Sequence, residues 1–65
     1  MKIIVNGVET DLDAPNLADA LEALGYGGAA VATALNEAFV PSALRATTPL
    51  SNGDRLEIVA PKQGG

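Results

Sequence analysis

The sequence predicts a two-layer α+β domain in which a single helix covers one face of a small sheet, and three observations carry this. An apolar, β-branched run from Lys2 to Asn6 meets the pair Asn6-Gly7 and is followed by a second run, Val8 to Leu12. Leu17, Ala20, Leu21 and Leu24 then recur at helical spacing. Beyond Val31 the chain breaks into short strand-like runs separated by Asn36-Glu37, Pro41 and Ser51-Asn52-Gly53-Asp54. Hairpin, helix and three further strands fit two packed layers around one core.

Each element has its own local cause. Asn6-Gly7 favours the positive backbone angles of a two-residue hairpin turn, so the chain opens as a β-hairpin. Asn16 is a helix N-cap with Asp19 three residues on, close to a capping box and well placed for the helix dipole. The apolar stripe spans about two turns and stops at Gly25, a left-handed cap followed by Gly27-Gly28. Val31 to Leu35 reads as a third strand and Ala38 to Val40 as a short fourth, which Pro41 ends. Ser42 to Arg45 has the composition of one helical turn. Ser51-Asn52-Gly53-Asp54 is a turn, and Leu56 and Ile58 alternate with Glu57 in a half-buried strand from Arg55 to Ala60.

Residues 1–60 thus form one domain, and 61–65, Pro61-Lys62-Gln63-Gly64-Gly65, form a flexible tail with nothing to bury. If Ile3, Val5, Leu56 and Ile58 face the helix, period-two alternation turns Ile4 and Val59 outward, with Ala32, Ala34 and Phe39 beside them. That is a candidate docking patch, weighed evenly against ordinary exposed apolar residues of a thin core.

Composition narrows the function. A chain of 65 residues buries only about 60% of its unfolded surface, so the core must be simple and continuous. No cysteine is present, which removes disulfides, thiolate metal sites and any sulfur carried on a side chain. No histidine is present either, so the usual general base and the commonest zinc ligand are missing and an independent enzyme is disfavoured. The net charge is −4 and the four cations, Lys2, Arg45, Arg55 and Lys62, are dispersed, which argues against nucleic acid as a partner. There is no apolar run of membrane-spanning length and no signal-peptide pattern, so the cytoplasm is the expected location and a monomer the expected state.

The end of the sequence is its most informative part. Two final glycines arise by chance in roughly one chain in two hundred at average glycine usage. Glycine lacks a β-carbon, so Gly64-Gly65 can pass as bare backbone through a narrow channel and present its carboxylate beside a nucleotide bound in a partner. Attack of that carboxylate on the α-phosphate of ATP gives an acyl adenylate, open to a sulfur or nitrogen nucleophile. The opposing reading, an inert end, has equal weight on the tail alone.

The preceding residues shift the balance. The Asn6-Gly7 hairpin, the leucine-rich helix, Asn36-Glu37, Val40-Pro41, Leu50, Gly53-Asp54, the strand Leu56 to Val59 and Gly64-Gly65 occur in the order and spacing of one family. The chain resembles the ThiS-type sulfur carriers, within the ubiquitin-like β-grasp superfamily, over nearly its whole length. The resemblance implies a β-grasp fold with a mixed sheet of four to five strands and one main helix packed on one face. It implies a Gly65 carboxylate adenylated with ATP by a ubiquitin-activating-like adenylyltransferase of the ThiF type and converted to a thiocarboxylate with sulfur from a persulfide donor. Thiazole synthase of the ThiG type would accept the sulfur, so the chain would be a co-substrate with no bound cofactor or metal of its own. Carried over by residue, Gly65 holds the sulfur and Gly64 gives unhindered approach, while Ile4, Phe39 and Val59 are candidates for the docking face. Lys62-Gln63 departs from the more apolar residues expected there, which bears on the partner's cleft and not on the chemistry.

Other marked residues take structural roles in this reading. Asn36-Glu37 is a turn, Asp11 with Asp13 a solvated loop, Gly25 to Gly28 a cap and connector, and Tyr26 with Phe39 packing or rim residues. Three alternatives remain open: the small subunit of molybdopterin synthase or another ubiquitin-like carrier or modifier; a β-grasp interaction module with an inert tail; and a small metal-dependent or acid/base enzyme, for which no candidate pair is present.

Overall fold

The computed structural model describes residues 1–60, and the expected tail over 61–65 lies outside the described residues. The elements run β1 (Lys2–Val5), β2 (Val8–Asp11), α1 (Leu17–Ala23), β3 (Ala32–Leu35), β4 (Ala38–Val40), a 3-10 helix (Ser42–Thr47) and β5 (Arg55–Val59). The five strands form one mixed sheet in the order β2-β1-β5-β3-β4. β1 and β5 pair in parallel, and the other neighbours pair antiparallel.

The first hairpin closes as its residues dictate. Asn6 and Gly7 have φ of 50° and 81°, the left-handed values of a type I′ turn, and the register matches Val5 with Val8 and Ile3 with Thr10. The second hairpin uses the same turn, with Asn36 at φ 50° and Glu37 at φ 73°. Here a side chain occupies a position where glycine costs least.

The helix is capped at both ends from its own sequence. Asn16 Oδ1 accepts the Asp19 amide at 2.8 Å, and Asn16 Nδ2 donates to Asp19 Oδ2 at 3.4 Å. At the other end Gly25, φ 91°, lets the Tyr26 amide reach Leu21 O (2.8 Å) and the Gly25 amide reach Glu22 O (3.1 Å). This is the paired closure of a Schellman cap. Leu17, Ala20 and Leu21 are buried, and Leu24 is half-buried at the cap itself.

Ile3, Leu17 and Leu56 are fully buried and form a continuous core with Leu21, Val40 and Ile58. Each such side chain contributes about 1.5–3 kcal/mol by leaving water. β5 alternates in register with this: Leu56 and Ile58 point to the helix, while Arg55, Glu57 and Val59 are exposed. That alternation is what the centre of a sheet covered on one face requires.

Thr33 is the buried polar residue of the core, and its hydroxyl is satisfied twice. It donates to Val40 O at 2.9 Å and accepts from Arg45 Nε at 3.2 Å. Arg45 Nη2 also donates to Val31 O at 2.6 Å, which ties the 3-10 helix to the start of β3. β3 begins at Ala32 and not at Val31 as the sequence suggested, since the register partner of Ala32, Val59, is the last residue of β5. The 3-10 helix outruns the expected single turn at Ser42–Arg45: the hydroxyls of Thr47 and Thr48 donate to Leu44 O at 3.2 and 2.6 Å and carry it to Thr47.

Candidate functional site

Strand register decides which side chains share the face turned away from the helix. Ile4 pairs with Glu9 and Arg55, Ala34 with Glu57 and Phe39, and Ala32 with Val59. All these residues lie on the outer face, since direct partners in a ladder point the same way. Phe39 is 69% exposed and Val59 62% exposed. Ala32 and Ala34 stand between them, and alanine leaves a shallow floor across which both larger groups project.

Ile4 lies on the same face but outside this patch. It is half-buried, and its register partner Arg55 is four residues, about 13 Å along β5, from Val59. Charges surround it: Lys2 Nζ is 3.9 Å from Glu9 Oε1, and Arg55 Nη2 is 3.7 Å from Glu37 Oε2. The structure thus brings Phe39 and Val59 together and sets Ile4 apart from them.

The patch adjoins the point where the chain leaves the sheet. β1 ends at Val5, so the backbone of Ile58 has no strand partner on that side. The Asn6 side chain takes the place of one: Nδ2 donates to Ile58 O at 3.2 Å, and Oδ1 accepts the Ile58 amide at 2.8 Å. The far end of β5 is held in the same way, where Asn36 Oδ1 accepts the Arg55 amide at 2.9 Å and Asn36 Nδ2 donates to Asp54 Oδ1 at 3.0 Å. Sequence reasoning saw both asparagines only as turn formers. Their second role depends on a partner distant in sequence, which no local signal reveals.

Gly64 and Gly65, the predicted reactive end, lie outside the described residues. Covalent geometry still bounds them: the five residues after Ala60 reach at most about 17 Å from the end of the sheet. Among the described residues no group of three His, Cys, Asp or Glu could hold a metal. No helix among them is long and apolar enough to cross a membrane. Shallow depressions among the described residues include one lined by Lys2, Ile4, Glu9 and Gly53 and another lined by Glu22, Tyr26, Ser42 and Arg45. The second has its arginine committed to Thr33 and Val31, and the Glu22 carboxylate lies so close to Gly27 that a Cβ there would fall 2.5 Å from Glu22 Oε2.

A mixed sheet with parallel β1 and β5 at its centre, flanked by two hairpins and covered by one helix, defines a ubiquitin-like β-grasp protein. The chain belongs to the ThiS family of small carrier proteins, whose sequence model matches residues 3–65. A solved structure of the thiamine biosynthesis protein ThiS from Geobacter metallireducens is similar to it, with 29% identity, a TM-score of 0.84 and coverage of 100% of both chains. No curated protein matches.

Proposed function

We propose that this chain is a sulfur carrier of thiamine biosynthesis that works in the cytoplasm through the carboxylate of Gly65. The observation that carries the reading is the family match over residues 3–65, which takes in the Gly64-Gly65 pair. The absence of cysteine from the sequence supports it, since sulfur cannot then be held on a thiol.

The chemistry runs in three steps on partner enzymes. A Gly65 carboxylate oxygen attacks the α-phosphorus of ATP bound by a ThiF-type adenylyltransferase, and pyrophosphate leaves. The terminal sulfur of a persulfide then adds to the acyl carbon and AMP leaves, giving an acyl disulfide. A thiol cleaves its S–S bond and releases the thiocarboxylate, from which a ThiG-type thiazole synthase takes sulfur. The chain supplies the carboxylate, an approach free of Cβ atoms at Gly64, and a docking face. We assign that face to Phe39 and Val59 with Ala32 and Ala34, and leave Ile4 outside it.

The test is ATP–pyrophosphate exchange by a ThiF-type enzyme with this chain as the only acceptor. Exchange is expected with the chain ending at Gly65 and lost when one alanine is added after it, because the carboxylate is displaced from the nucleotide. Equal exchange by both forms would remove Gly65 from the chemistry.

A further inference from the structure

The outer face carries one group that does not fit an apolar docking patch. Glu57 lies on β5 between Arg55 and Val59 on that face, and its direct register partner is Ala34, whose own neighbour on β4 is Phe39. It therefore stands in the same row as Phe39 and one row from Val59. A surface that covers those two side chains must cover Glu57 as well.

Nothing among the described residues neutralises it. Arg55, two positions earlier on the same face, reaches Glu37; Lys2 reaches Glu9; Arg45 is bound to Thr33 and Val31 on the opposite face of β3. Alanine at 34 offers neither a hydrogen-bond donor nor bulk to shield the carboxylate. Free in water this group costs nothing. Covered by an apolar surface it would lose its hydration without compensation, and a buried unpaired carboxylate is among the most unfavourable groups an interface can contain.

We infer that the protein which docks on this face places a lysine or arginine against Glu57, with apolar side chains seated over Ala32 and Ala34 between Phe39 and Val59. The occupant is a folded partner that also receives the tail, since the patch adjoins the end of β5 and the chain beyond it reaches at most about 17 Å. The inference rests on the docking face assigned above. It adds the charge the partner must carry, and with it a basis for selection: carriers with a neutral or basic residue at this position would be rejected.

The experiment is titration calorimetry of this chain with a ThiF-type adenylyltransferase that loads another ThiS-family carrier, at low and moderate salt. Glu57→Gln is expected to weaken binding at least tenfold and to flatten its salt dependence, because the partner's cation is left buried and unpaired. Glu57→Lys should weaken it more than a hundredfold, and circular dichroism should show both variants folded, as Glu57 is exposed. Wild-type affinity for Glu57→Gln alongside loss of binding in Phe39→Asp would overturn the inference while keeping the face. Wild-type affinity for both variants would overturn the inference and the face together. Mass analysis of the same proteins, incubated with ATP, magnesium, a persulfide donor and a thiol, separates the functional reading: binding that depends on Glu57 without ATP-dependent change at Gly65 would sink the carrier chemistry and support the interface.

Discussion

Asn6 and Ile58, 52 positions apart, exchange two hydrogen bonds: the side-chain amide of one meets the backbone N–H and C=O of the other at 2.8 and 3.2 Å. The turn residue of the first hairpin thereby completes the ladder of the last strand, just before the chain leaves the sheet.

Asn6→Gly keeps the positive φ available and removes both bonds, so it isolates the clamp. The expected cost is about 1–3 kcal/mol in urea unfolding, at roughly 0.5–1.5 kcal/mol for each bond. The Ile58 amide should also lose protection in hydrogen exchange before the rest of β5 does. Unchanged exchange at Ile58 would show that β5 is held there by something else.

The two hairpin turns differ at one position, Gly7 against Glu37, with φ of 81° and 73°. Glu37→Gly relieves a left-handed residue at a cost in chain entropy, and forfeits only an exposed ion pair to Arg55. A net gain of about 0.5–1 kcal/mol is expected, read as a rise of about 3–6 °C in Tm for a domain of this size.

Arg45 makes charged hydrogen bonds to Thr33 Oγ1 and Val31 O beneath the 3-10 helix. Arg45→Met keeps much of the packing but leaves the Val31 carbonyl and one side of the Thr33 hydroxyl unpaired. A loss of about 2–3 kcal/mol in chemical denaturation is expected, with Thr33→Val costing less in that background than in the wild type, where it also breaks the bond from Arg45. Equal costs of Thr33→Val in the two backgrounds would mean that the two side chains do not act together.

Phe39→Asp separates docking from folding. The ring is 69% exposed, so stability should change by no more than about 0.5 kcal/mol, while the KM of this chain as substrate of a ThiF-type enzyme should rise at least tenfold. An unchanged KM would remove Phe39 from the interface.

How much of this was legible in the sequence follows from the range of each interaction. Asn6-Gly7, the Asn16–Asp19 cap and the Gly25 stop are local, and each appears in the structure where its residues predict. Alternation placed Ile4, Phe39 and Val59 on one face, but it carries no information about lateral position, so the separation of Ile4 by Arg55 and its charged neighbours was not visible. The family resemblance implied a mixed sheet but not which strands run parallel, since Ile4 and Arg55, register partners in β1 and β5, lie far apart in sequence and nothing local specifies them as neighbours. The reach of Arg45 to Val31 had no local signal, and Glu57 stood out only once its register partner proved to be alanine. Each is a tertiary pairing that composition and period cannot express.

The central claim is that Gly65 carries the sulfur, and fragmentation mass spectrometry of the intact chain tests it most directly. The chain is incubated with ATP, magnesium, a ThiF-type enzyme, a persulfide donor and a thiol, then fragmented to locate any change. Replacement of one oxygen by sulfur, confined to the Gly64-Gly65 fragment and dependent on ATP, is the predicted result. An unmodified Gly64-Gly65 fragment, with an enzyme that loads another ThiS-family carrier in the same mixture, would contradict it.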